Sequence, residues 1–486
     1  MKQTINDPGA SLLSVFGLLF LLASCFLGLI LSQPSLIIPF LITVCCALVI
    51  LRPDWSYFLS LIFIFIPSVF FELIQNDKLR IEFFDLFILF SALSWCFRGM
   101  ARDREPYSYN HIDLLVILFY TWALTSLIWA TSNVQGVFEM MKLVTAVGLY
   151  LLTKSLVVNR DILRKLIVLL TIVAVFEAIL SIISVWIDTG YDWDQPVSSS
   201  IDFVSRFWAK KNWGSDGGRG TGTAVAHTTG FLLNMAIFPA LGCFFVSKSI
   251  KEKWIWAISL IIMSAGMTST LTKSSMASFL AGSVLIIFHI RKLRKYFVIS
   301  CLLLLVFFIA VSAISRLRDI EKSINFTSHQ MDSSDDETSM GTRLDWWGEG
   351  LEKLIDSAWL GYGVGGFRAA INNVVPDGSH HAVLFDLGLI GFSIYIFILA
   401  YSFLYYYEHL KRCRDEYFRK LMVAYLAGFL VMVVSWFVTL YYTYPYVWFY
   451  MGLGYAIVDL SNKGEDDQTE KPLTNSFIAT LKDPVE

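Results

Sequence analysis

Two adjacent histidines, His380 and His381, stand immediately before a long apolar stretch, in the run Gly378-Ser379-His380-His381-Ala382-Val383-Leu384-Phe385-Asp386-Leu387-Gly388-Leu389-Ile390-Gly391. Imidazole takes or gives a proton near neutral pH, so a histidine beside cations can act as a general base. The cations are Arg343 and Arg368, which flank Gly361, Gly363, Gly365 and Gly366, together with Arg219 in Arg219-Gly220-Thr221 and Lys273 in Thr270-Leu271-Thr272-Lys273-Ser274-Ser275. A guanidinium group presents a rigid fork that suits phosphate oxygens and stays charged in a drier setting. Together these residues can bind a phosphate-bearing group and remove a proton beside it. Each also has a plainer role. The arginines can pair with Asp202, Asp216, Asp345 or lipid headgroups, Lys273 can snorkel at a helix end, and a histidine at a helix start can be a cap.

Other chemistries find little support. There is no Gly-rich Lys-Ser/Thr phosphate loop and no His-Glu-x-x-His. Asp192-Trp193-Asp194 has ligand-like spacing, but paired acids in a Trp-rich polar loop read first as solvated surface. Cys25, Cys45, Cys46, Cys96, Cys243, Cys301 and Cys413 lie in apolar runs or a short basic connection, with no disulfide framework or zinc spacing. No metal, no cofactor and no nucleic-acid partner are expected.

The elements that position these residues are membrane helices. Of 486 residues, 56% are apolar and 16% charged, which is far from the balance of a soluble domain. Leu22-Ala23-Ser24-Cys25 resembles a lipobox, but the apolar run continues through Cys25 to Leu31 and reads as a first span. Apolar stretches of about 17 to 25 residues occur at 10–32, 35–51, 56–74, 81–97, 112–130, 136–157, 162–187, 224–247, 254–270, 274–290, 296–314, 382–408, 420–442 and 445–459. The second and third are expected to bend near Pro34 and Pro53. The predicted fold is an all-α polytopic membrane protein of about 12–14 transmembrane helices.

Sidedness follows from the positive-inside rule. Arg98/Arg102/Arg104, Lys154/Arg160/Arg164/Lys165, Lys248/Lys251/Lys253, Arg291/Lys292/Arg294/Lys295 and Lys411/Arg412/Arg414/Arg419/Lys420 fall in alternate connections, while 132–135 and 442–444 have no Lys or Arg. The expected organisation is N-terminal helices at 1–187, a periplasmic loop at 188–223, central helices at 224–314, a large periplasmic loop at 315–381, C-terminal helices at 382–460 and a cytoplasmic tail at 461–486. Both termini are then cytoplasmic.

In the large loop, Ser323–Ser339 is rich in Ser, Asp and Glu and is expected to be mobile. From Arg343, the spacing of Trp347, Leu351, Leu354 and Ile355 predicts an amphipathic helix on the outer interface, with tryptophans at headgroup depth. Glu82, Asp85, Glu139, Lys142, Glu177 and Asp386 fall inside apolar stretches, each costing about 2.5–3.5 kcal/mol if central. Glu139 and Lys142, three apart on one helix, can neutralise each other.

Thr342 to Phe392 resembles the signature region of the bacterial O-antigen ligase and polymerase superfamily. The likeness rests on Arg343 followed by Trp347, on Leu360-Gly361-Tyr362-Gly363-Val364-Gly365-Gly366-Phe367, and on a histidine ahead of Leu384-Phe385-Asp386-Leu387-Gly388-Leu389-Ile390-Gly391. Arg219-Gly220-Thr221 and Leu271-Thr272-Lys273-Ser274-Ser275 are weaker matches, with Ser275 where the family has arginine. His380 and His381 stand closer to Gly388 than the family's histidine does, by about one helical turn.

The resemblance implies a C-type glycosyltransferase-like fold in the bacterial inner membrane. Its implied activity is inverting, metal-independent transfer of oligosaccharide from undecaprenyl diphosphate to a glycan or lipid-linked glycan acceptor on the periplasmic face. His380 or His381 would be the base, Arg343 and Arg219 would hold the diphosphate, and Lys273 and Arg368 would lie outside them. The lipid bilayer, a chain-length regulator and a flippase are the implied partners. A repeat-unit polymerase fits the span count and the undecorated loop better than a ligase acting on lipid A core or protein. A lipid-linked glycan flippase should show repeated halves, and none is seen.

Overall fold

The computed structural model describes residues 109–186, 226–289, 339–357, 359–367, 378–437 and 442–469, with short stretches between 57 and 92. The chain divides into two compact units, one of residues 1–106 with 184–219 and one of 107–183 with 220–486.

In the first unit the described residues include an antiparallel hairpin, β1 (Glu72–Asn76) with β2 (Leu79–Glu82), in which Asn76 pairs with Leu79. This corrects the ends of the apolar stretches expected at 56–74 and 81–97, and Glu82 is a strand residue rather than a charge within a span. Glu72, Arg80 and Glu82 make the segment too polar for hydrocarbon. The spans expected at 10–32, 35–51 and 296–314, with Asp85, Asp192-Trp193-Asp194 and all of 323–338, lie outside the described residues.

The regular elements described in the second unit are all helices. Its helices are α1 (His111–Thr125, extended by a 3-10 turn at Ser126–Trp129), α2 (Asn133–Leu156), α3 (Arg160–Trp186), α4 (Ala226–Val246) and α5 (Ile250–Ser269). They continue as α6 (Lys273–His289), α7 (Ser339–Asp356), α8 (Ser379–Arg412), α9 (Glu416–Ser435) and α10 (Pro445–Thr469). Six segments are long and apolar enough to cross a membrane, at His111–Trp129, Asn133–Leu156, Arg160–Ile183, Thr228–Val246, Ser379–Arg412 and Glu416–Ser435. Side-chain caps mark several of their starts. Asn110 accepts the amides of Ile112 and Asp113 (both 3.1 Å) while Asp113 accepts the Asn110 amide (2.9 Å), and Asp415 accepts the Tyr417 amide at 2.8 Å.

Packing follows the rules of a lipid solvent, in which small residues and internal hydrogen bonds join helices. Ile172, Ile179, Ile255 and Ile261 are exposed on the outside of α3 and α5, where water would penalise them and lipid does not. Inside, α9 packs closely against α4 and α6, α2 against α10, and α8 against α1. A Cβ on Gly428 would fall 1.9 Å from the Tyr450 hydroxyl, and one on Gly454 2.4 Å from that of Tyr425. These close approaches let the buried tyrosines of α8, α9 and α10 reach backbone carbonyls, with Tyr406 donating to Met451 at 2.9 Å and Tyr425 to Tyr450 at 2.8 Å.

The two ends of this bundle differ. At one end Arg160 pairs with Asp415, and Arg164 with Glu252 at 3.0 Å, so the basic connections after α2, α4 and α8 gather together. Exposed pairs of this kind add little stability. Buried Asp113 at that end accepts the Tyr150 hydroxyl (2.7 Å) and the Lys154 ammonium (2.5 Å), which staples the start of α1 to the end of α2. The α1–α2 connection, the α5–α6 turn, the start of α8 and the entry to α10 lie at the opposite end.

Candidate active site

The opposite end is organised by a break in α8. Gly388 has φ 67° and ψ −169°, a conformation open to glycine and costly to other residues. The break releases backbone groups that must find partners in an apolar setting. Leu387 O accepts the Trp122 indole N–H at 2.9 Å. Phe385 O accepts the Tyr362 amide and the Leu389 amide donates to Trp359 O, both at 2.9 Å. The residues that supply these partners are Trp122 of α1 and the Gly-rich segment 359–367.

That segment and the break form one joint. A Cβ on Gly388 would lie 2.2 Å from Trp359 O, and one on Gly361, where φ is 79°, 2.5 Å from Gly388 N. The turn is fixed on its other side by α1 and α2, with the Thr131 amide donating to Tyr362 O (3.0 Å) and the Val364 amide to Ser126 Oγ (3.0 Å). Gly388→Ala must therefore move backbone rather than a flexible side chain. We expect a loss of about 1–3 kcal/mol from the dihedral alone, with further loss from the clash, seen as a lower thermal midpoint in detergent and faster hydrogen exchange over 359–367.

The joint carries an aromatic platform. Phe367 stacks on Phe385 with centroids 4.4 Å apart, and Trp347, Tyr362 and Leu384 pack against that pair. Gly350 of α7 sits over both rings, since a Cβ there would be 2.5 Å from Phe385 and 3.0 Å from Phe367. Leu354 is buried, whereas Leu351 and Ile355 on the same helix are 48% and 59% exposed. The amphipathic helix thus docks by one edge on α8 and keeps an apolar strip facing outward.

The two histidines open this platform and face opposite ways. His380 is 4% exposed, with Nε2 3.1 Å from Val433 O and its ring against Phe437 at 4.4 Å. Because a carbonyl can only accept, Nε2 of His380 carries the proton. His381 is half-buried, and its ring lies flat on Trp347, with centroids 3.9 Å apart and planes 9° apart. Its Nδ1 is enclosed, close to where a Cβ on Gly378 would lie (3.1 Å).

Other candidate residues reach the same end to different extents. Lys273 begins α6 and is exposed, after a turn in which Leu271 has φ 51°. Arg343 stands in α7 one turn before Trp347, with its side chain outside the described residues. Arg219 and Arg368 also lie outside the described residues. Glu139 pairs with Lys142 at 3.4 Å, as the spacing implied, and also accepts the Thr443 hydroxyl at 2.8 Å.

Two residues gain importance beyond what the sequence suggested. Trp347 packs on an imidazole rather than standing only at headgroup depth, and Asp386, met in sequence as a costly span charge, accepts the Phe367 amide at 3.0 Å. The helical spacing of Arg343, Trp347, Leu351 and Leu354 was the available signal for the first. For the second there was none, because the partner amide arrives through the tertiary fold.

Residues 258–396, from within α5 through the break in α8, match the family model described as O-antigen ligase. They form a domain of the O-antigen ligase/polymerase superfamily. The O-antigen ligase domain contains Lys273, Arg343, the Gly-rich turn, Arg368, both histidines and Asp386, while Arg219 precedes it. Curated proteins contain no match to the chain.

Proposed function

We propose that the chain is an inverting, metal-independent glycosyltransferase that moves oligosaccharide from undecaprenyl diphosphate to an acceptor hydroxyl on the periplasmic face. Within the superfamily the reading is an O-antigen or exopolysaccharide repeat-unit polymerase. The observation that carries it is the placement of half-buried His381, stacked on Trp347, at the broken end of α8 inside the O-antigen ligase domain.

Of the two imidazoles, His381 suits the base. His380 is enclosed and spends Nε2 on a carbonyl, whereas His381 keeps Nε2 as the nitrogen through which a substrate hydroxyl can be met. The acceptor O–H proton passes to that nitrogen as the oxygen attacks the sugar C1 from the face opposite the carrier. The C1–O bond to phosphate breaks, and its electron pair leaves on the diphosphate. Cations already aimed at that group stabilise the charge as it develops, a role for Arg343 and Arg219, with Lys273 and Arg368 outside them. A diphosphate departs without protonation, so a second carboxylic acid of the kind used by hydrolases is not needed.

Sidedness is supported by the gathering of the basic connections at the far end. Under the positive-inside rule that end faces the cytoplasm, and the histidine end faces the periplasm. A chain-length regulator and a flippase fit as partners in such a pathway.

The test is to supply purified protein in lipid with a defined undecaprenyl diphosphate repeat unit, with and without lipid A core acceptor, in the presence of a chelator. A ladder of longer lipid-linked glycans supports the polymerase. Transfer to the core alone makes it a ligase, and transbilayer movement of donor without bond formation makes it a flippase.

A further inference from the structure

Asp386 is completely buried, two residues before the break in α8. Both of its oxygens are used: Oδ1 accepts the Phe367 amide at 3.0 Å and Oδ2 the Tyr442 hydroxyl at 3.2 Å. These donors come from separate segments, since Phe367 closes the Gly-rich turn and Tyr442 leads into α10. The next residue, Thr443, does the same for Glu139, which is 9% exposed and accepts its hydroxyl at 2.8 Å. The Glu139 stem in turn lies against Gly365, where a Cβ would be 2.9 Å from Glu139 Cγ. The turn is thus gripped by two buried carboxylates, each tied to one residue of the Tyr442-Thr443 pair.

The grip reaches the imidazole through the aromatic platform. Phe367 stacks on Phe385, Trp347 packs against that pair, and His381 lies on Trp347 with Phe385 6.3 Å away. We propose that Asp386 is a positioning residue. It latches the Gly-rich turn to the broken end of α8 and so sets the orientation of His381.

The proposal rests on the reading of His381 as the base, but the latch itself can be tested without that reading. Hydrogen bonds to a carboxylate are stronger than neutral ones, and displacement of a catalytic group by about 1 Å can cost about 10²-fold in rate. Asp386→Ala should accelerate amide exchange across 359–367, lower kcat for glycan transfer by about 10²-fold and leave the donor KM within about threefold. Asp386→Asn keeps an acceptor for the Phe367 amide and should retain most turnover with intact protection. Tyr442→Phe should fall between them, and adding it to Asp386→Ala should cost little more, because both remove the same link.

Exchange is read by mass spectrometry on the full chain in lipid, with helix content and thermal midpoint measured alongside. Unchanged protection of 359–367 in Asp386→Ala would overturn the latch. Faster exchange with wild-type kcat would overturn its positioning role. His381→Ala with wild-type turnover beside an impaired Asp386→Ala would sink the base assignment and its link to Asp386, with the exchange result still reporting on the latch.

Discussion

His381→Ala should abolish glycan transfer while leaving donor binding in place. A positioned general base contributes about 10²–10⁴-fold, and among the described side chains at this end of the bundle the half-buried imidazole is that of His381. The expected signature is a fall in kcat with little change in the affinity for undecaprenyl diphosphate oligosaccharide, measured by donor binding to the purified variant. His380→Ala should behave differently. Its ring fills a box of Tyr395, Trp436 and Phe437 and holds Val433 O, so its loss weakens packing between α8 and α9. A lower thermal midpoint with substantial residual turnover is the expected outcome. Removing the His381 ring also ends its stack on Trp347, an arrangement worth about 0.5–1.5 kcal/mol. His381→Phe restores that stack without a base and should stay inactive, which separates chemistry from packing.

Arg343→Ala should weaken both donor binding and turnover. Loss of one donor aimed at developing charge costs about 10²–10³ in kcat, and a bidentate guanidinium also contributes to ground-state binding, so KM should rise together with the fall in rate. Position 343 stands one turn before Trp347 in α7, and therefore follows the helix edge that docks beside His381. Arg343→Lys should recover part of the binding and less of the rate, because an ammonium replaces the charge but not the fork. Steady-state kinetics with a defined donor checks both statements, and an Arg343→Ala variant with unchanged kcat and KM would remove this residue from the diphosphate site.

The helices were legible because their cause is local. Apolar runs long enough to span lipid are written continuously in the sequence, and the stretches expected at 112–130, 136–157, 162–187, 224–247, 254–270 and 274–290 correspond to α1 through α6. The hairpin at Glu72–Glu82 was hidden because it interrupts two apolar runs, and its alternation is too short to stand out beside them. The break in α8 was hidden for a different reason. Leu387-Gly388-Leu389-Ile390-Gly391 is apolar throughout and reads as continuous helix, yet Gly388 turns out because Trp359, Tyr362 and Trp122 supply the partners that a broken ladder needs. The same holds for the histidine pair. Their residue type announced proton chemistry, but only the positions of Val433 and Trp347 separate an enclosed ring from a half-buried one stacked on an indole.

The most direct measurement of the central claim follows one turnover of a defined undecaprenyl diphosphate oligosaccharide by purified protein in lipid with chelator present. It reads the anomeric configuration of the new glycosidic bond by NMR and the fate of the carrier by mass spectrometry. The account predicts inversion at C1, stoichiometric release of undecaprenyl diphosphate, and loss of both in His381→Ala. Retained configuration, a requirement for added divalent metal, or full turnover in both His380→Ala and His381→Ala would contradict it.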